Sequence, residues 1–398
     1  MTIDTLPSTT IPMVLHARTL RGSGGGPDKT ILRSARYVDP RRLRLGAVYI
    51  RPRGDTRFGA IREQARQWDC PLWEIGESGP VDPRTVWSLV QLCRRQRVAI
   101  WHAHDYKTDV LGLVVRRFWP MKLVSTVHGF TRETLRTRLY YHVDNMVLRY
   151  YDHVIAVSPP LVNHCRRYGV AGDKITYIAN AIDAAEFRRT QTVLQARAEL
   201  GLAQDRLIIG VVGRLSPEKG PDRAIRTLAQ LKGKHQTAQL LLIGEGSQRN
   251  ELVELVRKLE LSHDVKFLGW QPQPLRYYEA MDVLLLPSRT EGLPNVVLEA
   301  MAMQVPVAAS DVGGVQDLLD DGSCGVILNE DERAWPNHLA PLLVSPPRRA
   351  ELARQGRTRI RQHYTFKMRM AKVVAVYEKL LHLPQATDKQ TPSLRQAA

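Results

Sequence analysis

Pro287-Ser288-Arg289-Thr290-Glu291-Gly292-Leu293-Pro294-Asn295-Val296-Val297-Leu298-Glu299-Ala300-Met301-Ala302 is the stretch that decides how this 398-residue chain is read. An apolar strand, Val283 to Leu286, runs into it. A turn then carries one carboxylate, Glu291, and a helix whose first turn is expected to carry a second, Glu299. Seven residues lie between the two, and both can face the crevice at the C-terminal end of a parallel strand, where open α/β sheets bind ligands. The helix start offers unpaired N–H groups and a positive dipole end, which suit a phosphate or sugar hydroxyls.

Working outward, apolar runs bounded by turn residues alternate with helical patterns along the whole chain, which is the signature of parallel α/β layers. Strands are expected near residues 12–17, 45–50, 72–75, 98–102, 122–127, 153–157 and 175–178, and again near 207–212, 239–243, 265–268, 283–286, 305–308 and 325–328. A chain of this length exceeds the usual size of a single core, so two domains follow. The linker is expected near 183–195. Phe366, Met370, Val373, Val374, Tyr377, Leu380 and Leu381 recur at helical spacing, which predicts an amphipathic terminal helix. The polar run 384–398 is expected to be disordered.

Composition narrows the class. Hydrophobic residues make up 43% of the chain, as in a globular protein rather than a disordered one. Cys70, Cys93, Cys165 and Cys324 form no C-x-x-C pair, so neither a zinc knuckle nor a disulfide framework is expected. Scattered cysteines suit a reducing compartment. Residues 1–10 lack a basic segment followed by an apolar one, and no apolar run approaches the ~18–20 residues that cross a bilayer. A cytoplasmic protein, peripheral at most, is expected. The net charge of +17 is concentrated: residues 1–190 carry 30 Lys+Arg against 17 Asp+Glu, a net +13. An anionic partner for that half is suggested, whether phospholipid, a lipid diphosphate or nucleic acid. Two basic-aromatic stretches, 116–122 and 132–150, have the mixture found both at membrane interfaces and on ordinary packed amphipathic helices, and docking on an anionic membrane surface is the expectation. No recognised nucleic-acid motif accompanies the charge, so nucleic acid is not expected.

Further motifs fall in a consistent order: Gly24-Gly25-Gly26, Val127-His128-Gly129, Gly213-Arg214-Leu215-Ser216-Pro217-Glu218-Lys219-Gly220, Gly244-Glu245-Gly246, Phe267-Leu268-Gly269 and Tyr277-Tyr278-Glu279-Ala280-Met281-Asp282. With the opening stretch they resemble the retaining glycosyltransferases of family 4 (glycosyl transferases group 1), which have the GT-B fold. The resemblance implies two doubly wound Rossmann-like domains facing across a cleft: 1–190 on the acceptor side, 191–365 binding a nucleotide sugar, 366–383 crossing back to the first domain, and the 384–398 tail.

Site residues follow by the same resemblance. Arg214 and Lys219, in a turn closed by Gly213 and Gly220, would hold the donor's diphosphate; Arg offers a bidentate fork and Lys a point charge. Glu291 would lie beside the donor sugar, His128 near the reacting centre, and Glu299 on the ribose hydroxyls. Gly292, Leu293 and Asn295 would donate backbone N–H groups; Pro294 has none. Gly24, Gly25 and Gly26 would lie between phosphates and acceptor, with Glu245 and Leu268 flanking the base. The pattern implies a nucleoside-diphosphate sugar donor, a glycan or lipid-linked acceptor and no cofactor. His102-Ala103-His104 lacks further ligands in sequence and no Asp-x-Asp appears, so no metal is expected. Rival readings are a glycosidase carboxylate pair and a GT-B sugar-nucleotide-binding protein without turnover.

Overall fold

The computed structural model describes residues 11–20, 24–55, 58–79, 82–129, 146–233, 238–271 and 274–384. Gly22 and Ser23, most of the 132–150 stretch and the tail beyond 384 lie outside them.

The first domain is built on seven parallel strands: β1 (Met13–Thr19), β2 (Arg44–Pro52), β3 (Leu72–Glu77), β4 (Val98–Ala103), β5 (Lys122–Val127), β6 (His153–Ala156) and β7 (Ile175–Tyr177). Their order is β3-β2-β1-β4-β5-β6-β7. The second has six parallel strands: β8 (Leu207–Val212), β9 (Ala238–Ile243), β10 (Val265–Gly269), β11 (Val283–Leu286), β12 (Val307–Ser310) and β13 (Val326–Leu328), ordered β10-β9-β8-β11-β12-β13. Both sheets are doubly wound, and in each the strand order reverses once, between β1 and β4 and between β8 and β11. Ligands bind such sheets at the carboxyl ends beside that reversal.

All thirteen expected strands are present, with one displaced. The 305–308 strand starts at Val307 because the Val305 N–H closes the preceding helix on Ala300 O and the Pro306 carbonyl accepts from Leu284. Central strands such as β4 and β9 are buried along their whole length, as strands covered by helices on both faces must be. Cys70, Cys93, Cys165 and Cys324 are buried free thiols.

The terminal helix, Phe366–Leu380, buries Phe366, Met370, Val373 and Tyr377 against Val14, Ile100, Val124 and Ile155 of the first sheet. Thr365 caps it, accepting from Met368 N. The chain passes between the sheets twice, and the two passages lie side by side: Ile182 N donates to Tyr364 O and Phe366 N to Ile182 O. Among the described residues no helix is long and apolar enough to cross a membrane.

Candidate active site

The turn after β11 and the turn after β8 meet through one ion pair. Lys219 Nζ lies 2.8 and 2.9 Å from the two Glu291 carboxylate oxygens, and Ser288 Oγ donates to Oε1 at 2.7 Å. The carboxylate is buried and the ammonium is partly open to the cleft, with side-chain exposures of 8% and 28%. Gly220, left-handed at φ 62°, allows this turn to close, since a Cβ there would stand 2.2 Å from Pro287 O. Arg214, the other expected diphosphate cation, is outside the pair: it is more than half exposed at the rim and lies 2.8 Å from Glu218.

The next helix is Asn295–Ala302, with Pro294 at its N-cap. Glu299 is its fifth residue and so stands in the second turn rather than the first. It is 9% exposed and accepts from Tyr278 Oη at 2.7 Å. Burial pushes its pKa up, opposed by Lys29 of the first domain and by the Tyr278 hydroxyl. A buried carboxylate with one fixed donor and a cation across the cleft retains lone pairs for further hydroxyl donors.

The first domain approaches this helix through glycine. Asp28 organises the glycine loop, accepting from Gly25 N at 2.6 Å and pairing with Arg18 Nε at 2.7 Å. The helix Gly26–Arg33 then begins against Asn295: a Cβ on Gly26 would meet Asn295 Nδ2 at 2.4 Å. Gly292 is pressed on His128 in the same way, its would-be Cβ 2.1 Å from the His128 carbonyl oxygen. Asn180 Nδ2 donates across the seam to Leu293 O at 3.1 Å. The structure thus brings His128, Lys219, Glu291, Gly26, Gly292, Leu293 and Asn295 to one seam, with Glu299 a turn behind. Glu245 is exposed; its backbone O accepts from Leu215 N, and Gly213 N donates to Ile243 O. The Leu268 carbonyl already accepts from Gln271 Nε2 at 2.6 Å.

His128 is half-buried at the end of β5. Behind it runs a series of hydrogen bonds that the expected site residues did not include. His128 Nε2 lies 3.2 Å from His104 Nδ1, and His104 Nε2 lies 2.7 Å from His16 Nδ1. His16 Nε2 and His102 Nδ1 then share Tyr377 Oη at 3.3 and 2.5 Å, and His102 Nε2 meets Thr126 Oγ1 at 2.7 Å. Burial, reinforced by the Arg369 guanidinium, lowers the His16 pKa to about 3. Burial with Arg18 and Arg369 lowers that of His128 to about 3. His102 and His104 are driven well below the usual histidine value by burial and by their neighbouring rings.

His16, His102 and His104 have nitrogen atoms within 4.8 Å of one another and are the one such group of three among the described residues. Their rings, however, stack rather than converge, with His102 and His104 centroids 4.4 Å apart and His16 and His104 5.0 Å apart. Each ring spends both nitrogens on hydrogen bonds.

Sequence reasoning missed Tyr278, Asn180, His16 and Tyr377. Tyr278 stands inside a motif already quoted. His16 carries one signal, alternation: it lies two residues beyond Val14, as His102 lies two beyond Ile100, and so shares the face covered by the terminal helix.

Residues 25–186 match the family described as Glycosyltransferase Family 4, and residues 193–359 that described as Glycosyl transferases group 1. The D-inositol 3-phosphate glycosyltransferase of Nocardia farcinica is 30% identical over 269 residues, covering 61% of this chain and 58% of that protein. Several such relatives are matched over less than two thirds of their length. The lipopolysaccharide core biosynthesis mannosyltransferase LpcC of Rhizobium leguminosarum bv. viciae is 28% identical over 322 residues, 77% of this chain and 87% of its own. Among solved structures, Anabaena HepE in complex with UDP superposes with a TM-score of 0.78 at 20% identity, covering 93% of this chain and 100% of that one. At that identity the likeness is one of fold.

Proposed function

Since the chain belongs to the group 1 glycosyl transferases, we propose that it moves a hexosyl group, with retention of configuration, from a nucleoside-diphosphate sugar to a hydroxyl of a lipid-linked or envelope glycan. One observation carries the reading: Lys219 Nζ sits between the Glu291 oxygens where the two strand-order reversals face each other, with Glu299 one turn away. The UDP held by the Anabaena protein supports a nucleotide donor in a fold of this shape.

In this reading the donor lies along the Asn295–Ala302 helix start. Its ribose hydroxyls donate to Glu299, and its diphosphate takes Lys219 and Arg214. The ammonium is then shared between carboxylate and phosphate, so Glu291 is freed to stabilise the positive charge that develops at the anomeric carbon. Fixed charges aimed at developing charge accelerate reactions more than any other single device. The glycosidic bond to phosphate breaks as the acceptor oxygen bonds to the same face, and the departing phosphate takes the acceptor proton. No protein base is needed, and the cations neutralise the diphosphate in place of a metal. One wall of the cleft belongs to the basic half of the chain, residues 1–190, which suits an acceptor at an anionic membrane surface.

Thermal unfolding with UDP-, GDP- and ADP-sugars tests the donor. The right one at 100 times its Kd stabilises by about 2.7 kcal/mol, and no shift with any nucleotide sugar would sink the reading. With that donor, turnover should persist in EDTA; loss on chelation with recovery in Mg²⁺ or Mn²⁺ would refute the metal-free part alone.

A further inference from the structure

His128 stands at the seam beside the proposed donor site, and behind it four buried partners have no role in the proposed chemistry: His104, His16, Tyr377 and His102. They form a line whose direction can be worked out. A neutral imidazole has one donor and one acceptor nitrogen, and a hydroxyl donates one hydrogen. The low pKa values of all four rings keep them neutral. Once one hydrogen bond in such a line is oriented the others follow, unless Tyr377 Oη, which has two lone pairs, accepts from both rings and leaves its own hydrogen without an acceptor at a fully buried site.

Two directions exist. In one, the Thr126 hydroxyl donates to His102 Nε2, His102 Nδ1–H to Tyr377 Oη, Tyr377 O–H to His16 Nε2, His16 Nδ1–H to His104 Nε2, and His104 Nδ1–H to His128 Nε2. Every hydrogen is then used except His128 Nδ1–H. In the reverse direction His128 Nε2–H donates inward, and the hydrogen left over is that of Thr126. Thr126 is 2% exposed and its hydroxyl has His102 as its one partner among the described residues. His128 is less buried than Thr126, and its Nδ1 has no partner among them. A stranded donor costs far more when buried than when it faces a cleft.

We propose that Tyr377, on the helix returning from the second domain, holds His128 in the Nδ1–H tautomer through His16 and His104, so that His128 offers a hydrogen-bond donor to an oxygen of the bound sugar. Tyr377, His16 and His104 are positioning residues, and they tie the first domain's wall of the cleft to the terminal helix. The sugar contact rests on the glycosyltransferase reading; the tautomer does not. The geometry of the strands explains why the line forms. His16, His102 and Thr126 follow Val14, Ile100 and Val124 by two residues, and those three face the helix that carries Tyr377.

The tautomer is read directly in the full chain labelled with ¹⁵N-histidine, the His128 signals being identified by their loss in His128→Asn. Wild type should show His128 protonated at Nδ1. In Tyr377→Phe the ratio of Nδ1–H to Nε2–H should fall about tenfold, the equivalent of one ordinary hydrogen bond, while Thr126→Ser, which keeps the hydroxyl, leaves it unchanged. With the donor identified, Tyr377→Phe should lower kcat more than it raises the donor KM. An Nε2–H tautomer in wild type, or an unaltered ratio in Tyr377→Phe, overturns the proposal. So does one equivalent of zinc retained through dialysis with shifted His16, His102 and His104 signals. If Tyr377→Phe does not fold, the wild-type tautomer decides alone. Absence of turnover with a confirmed tautomer would count against the glycosyltransferase reading and not against the line.

Discussion

The second domain's side of the cleft works with opposite charges in contact, whereas the first domain's side works with neutral rings in series. Lys219 and Glu291 are a pair of full charges that a bound diphosphate would re-partition. His128, His16 and His102 are held neutral by burial and by Arg369, and His104 by burial and its neighbouring rings; Arg369 is itself 5% exposed and lowered to about 10 by its burial. The difference separates two tasks. In the proposed reaction charge belongs where charge develops, on the leaving diphosphate and the anomeric carbon. Direction without charge belongs where uncharged sugar oxygens must be oriented.

The largest expected effect is on the charged side. Glu291→Gln and Lys219→Ala should each lower turnover by about 10²–10³, the usual loss for one preorganised electrostatic partner, with thermal unfolding still cooperative. If the charged pair is the working element, Glu291→Gln acts through the chemistry and leaves the donor-induced thermal shift largely in place. Near-wild-type turnover in either folded variant would erase the contrast between the two sides.

A smaller effect is expected on the neutral side, in stability rather than rate. The His16 pKa is about 3 in the folded protein against about 6.5 in an unfolded chain. Between those values the unfolded state binds a proton that the native state does not. Stability contributed by keeping His16 neutral is therefore complete above pH ~6.5, is lost as pH falls, and levels off near 3, at up to about 1.4 kcal/mol per pH unit. Urea unfolding of wild type and His16→Gln between pH 6.5 and 4 should give a shallower fall for the variant. Parallel curves would mean that the buried ring is not held neutral.

The two sides were also unequally legible from sequence. Glu291, Asn295 and Glu299 lie within one contiguous stretch after one strand, and Lys219 lies in an eight-residue motif after another, so local pattern was enough to assemble them. Thirteen strands were visible because each is an apolar run between turn residues, and only the Pro306 segment, whose apolar residues extend the preceding helix closure, misled the boundary. The histidine line needed what local pattern does not hold. Strand alternation places His16 and His102 on a helix-covered face, but their adjacency depends on the register of β1 with β4, which shifts between Met13 and Val14. Tyr377 comes from the far end of the chain. Nor did pattern show that Lys219 and Arg214 would each face a carboxylate, since Glu218 reads equally well as a solvated loop residue.

The smallest expected effect concerns where the first domain rests. On the helix Tyr106–Arg116, Val110 and Val114 are 36% and 39% exposed, and Phe118, at the next helical interval, is 55% exposed. Met146 and Tyr150 are exposed in the adjoining segment, which Arg116 joins by donating to the Tyr150 carbonyl. Arg149 lies over the Tyr150 ring, and Arg117 is exposed beside Phe118. Apolar side chains ringed by cations are what an interfacial surface presents, the former entering the headgroup region and the latter meeting anionic lipid. Each cation contributes about 1 kcal/mol near an anionic leaflet, so Arg117→Glu should weaken sedimentation with anionic vesicles severalfold, and Phe118→Ser should do so even at high salt, where the cations are screened. Neutral vesicles should bind wild type weakly throughout. Equal binding to neutral and anionic vesicles, or to neither, would leave the +13 of residues 1–190 as a solvated surface, and an acceptor in free solution would then be the better partner for this cleft.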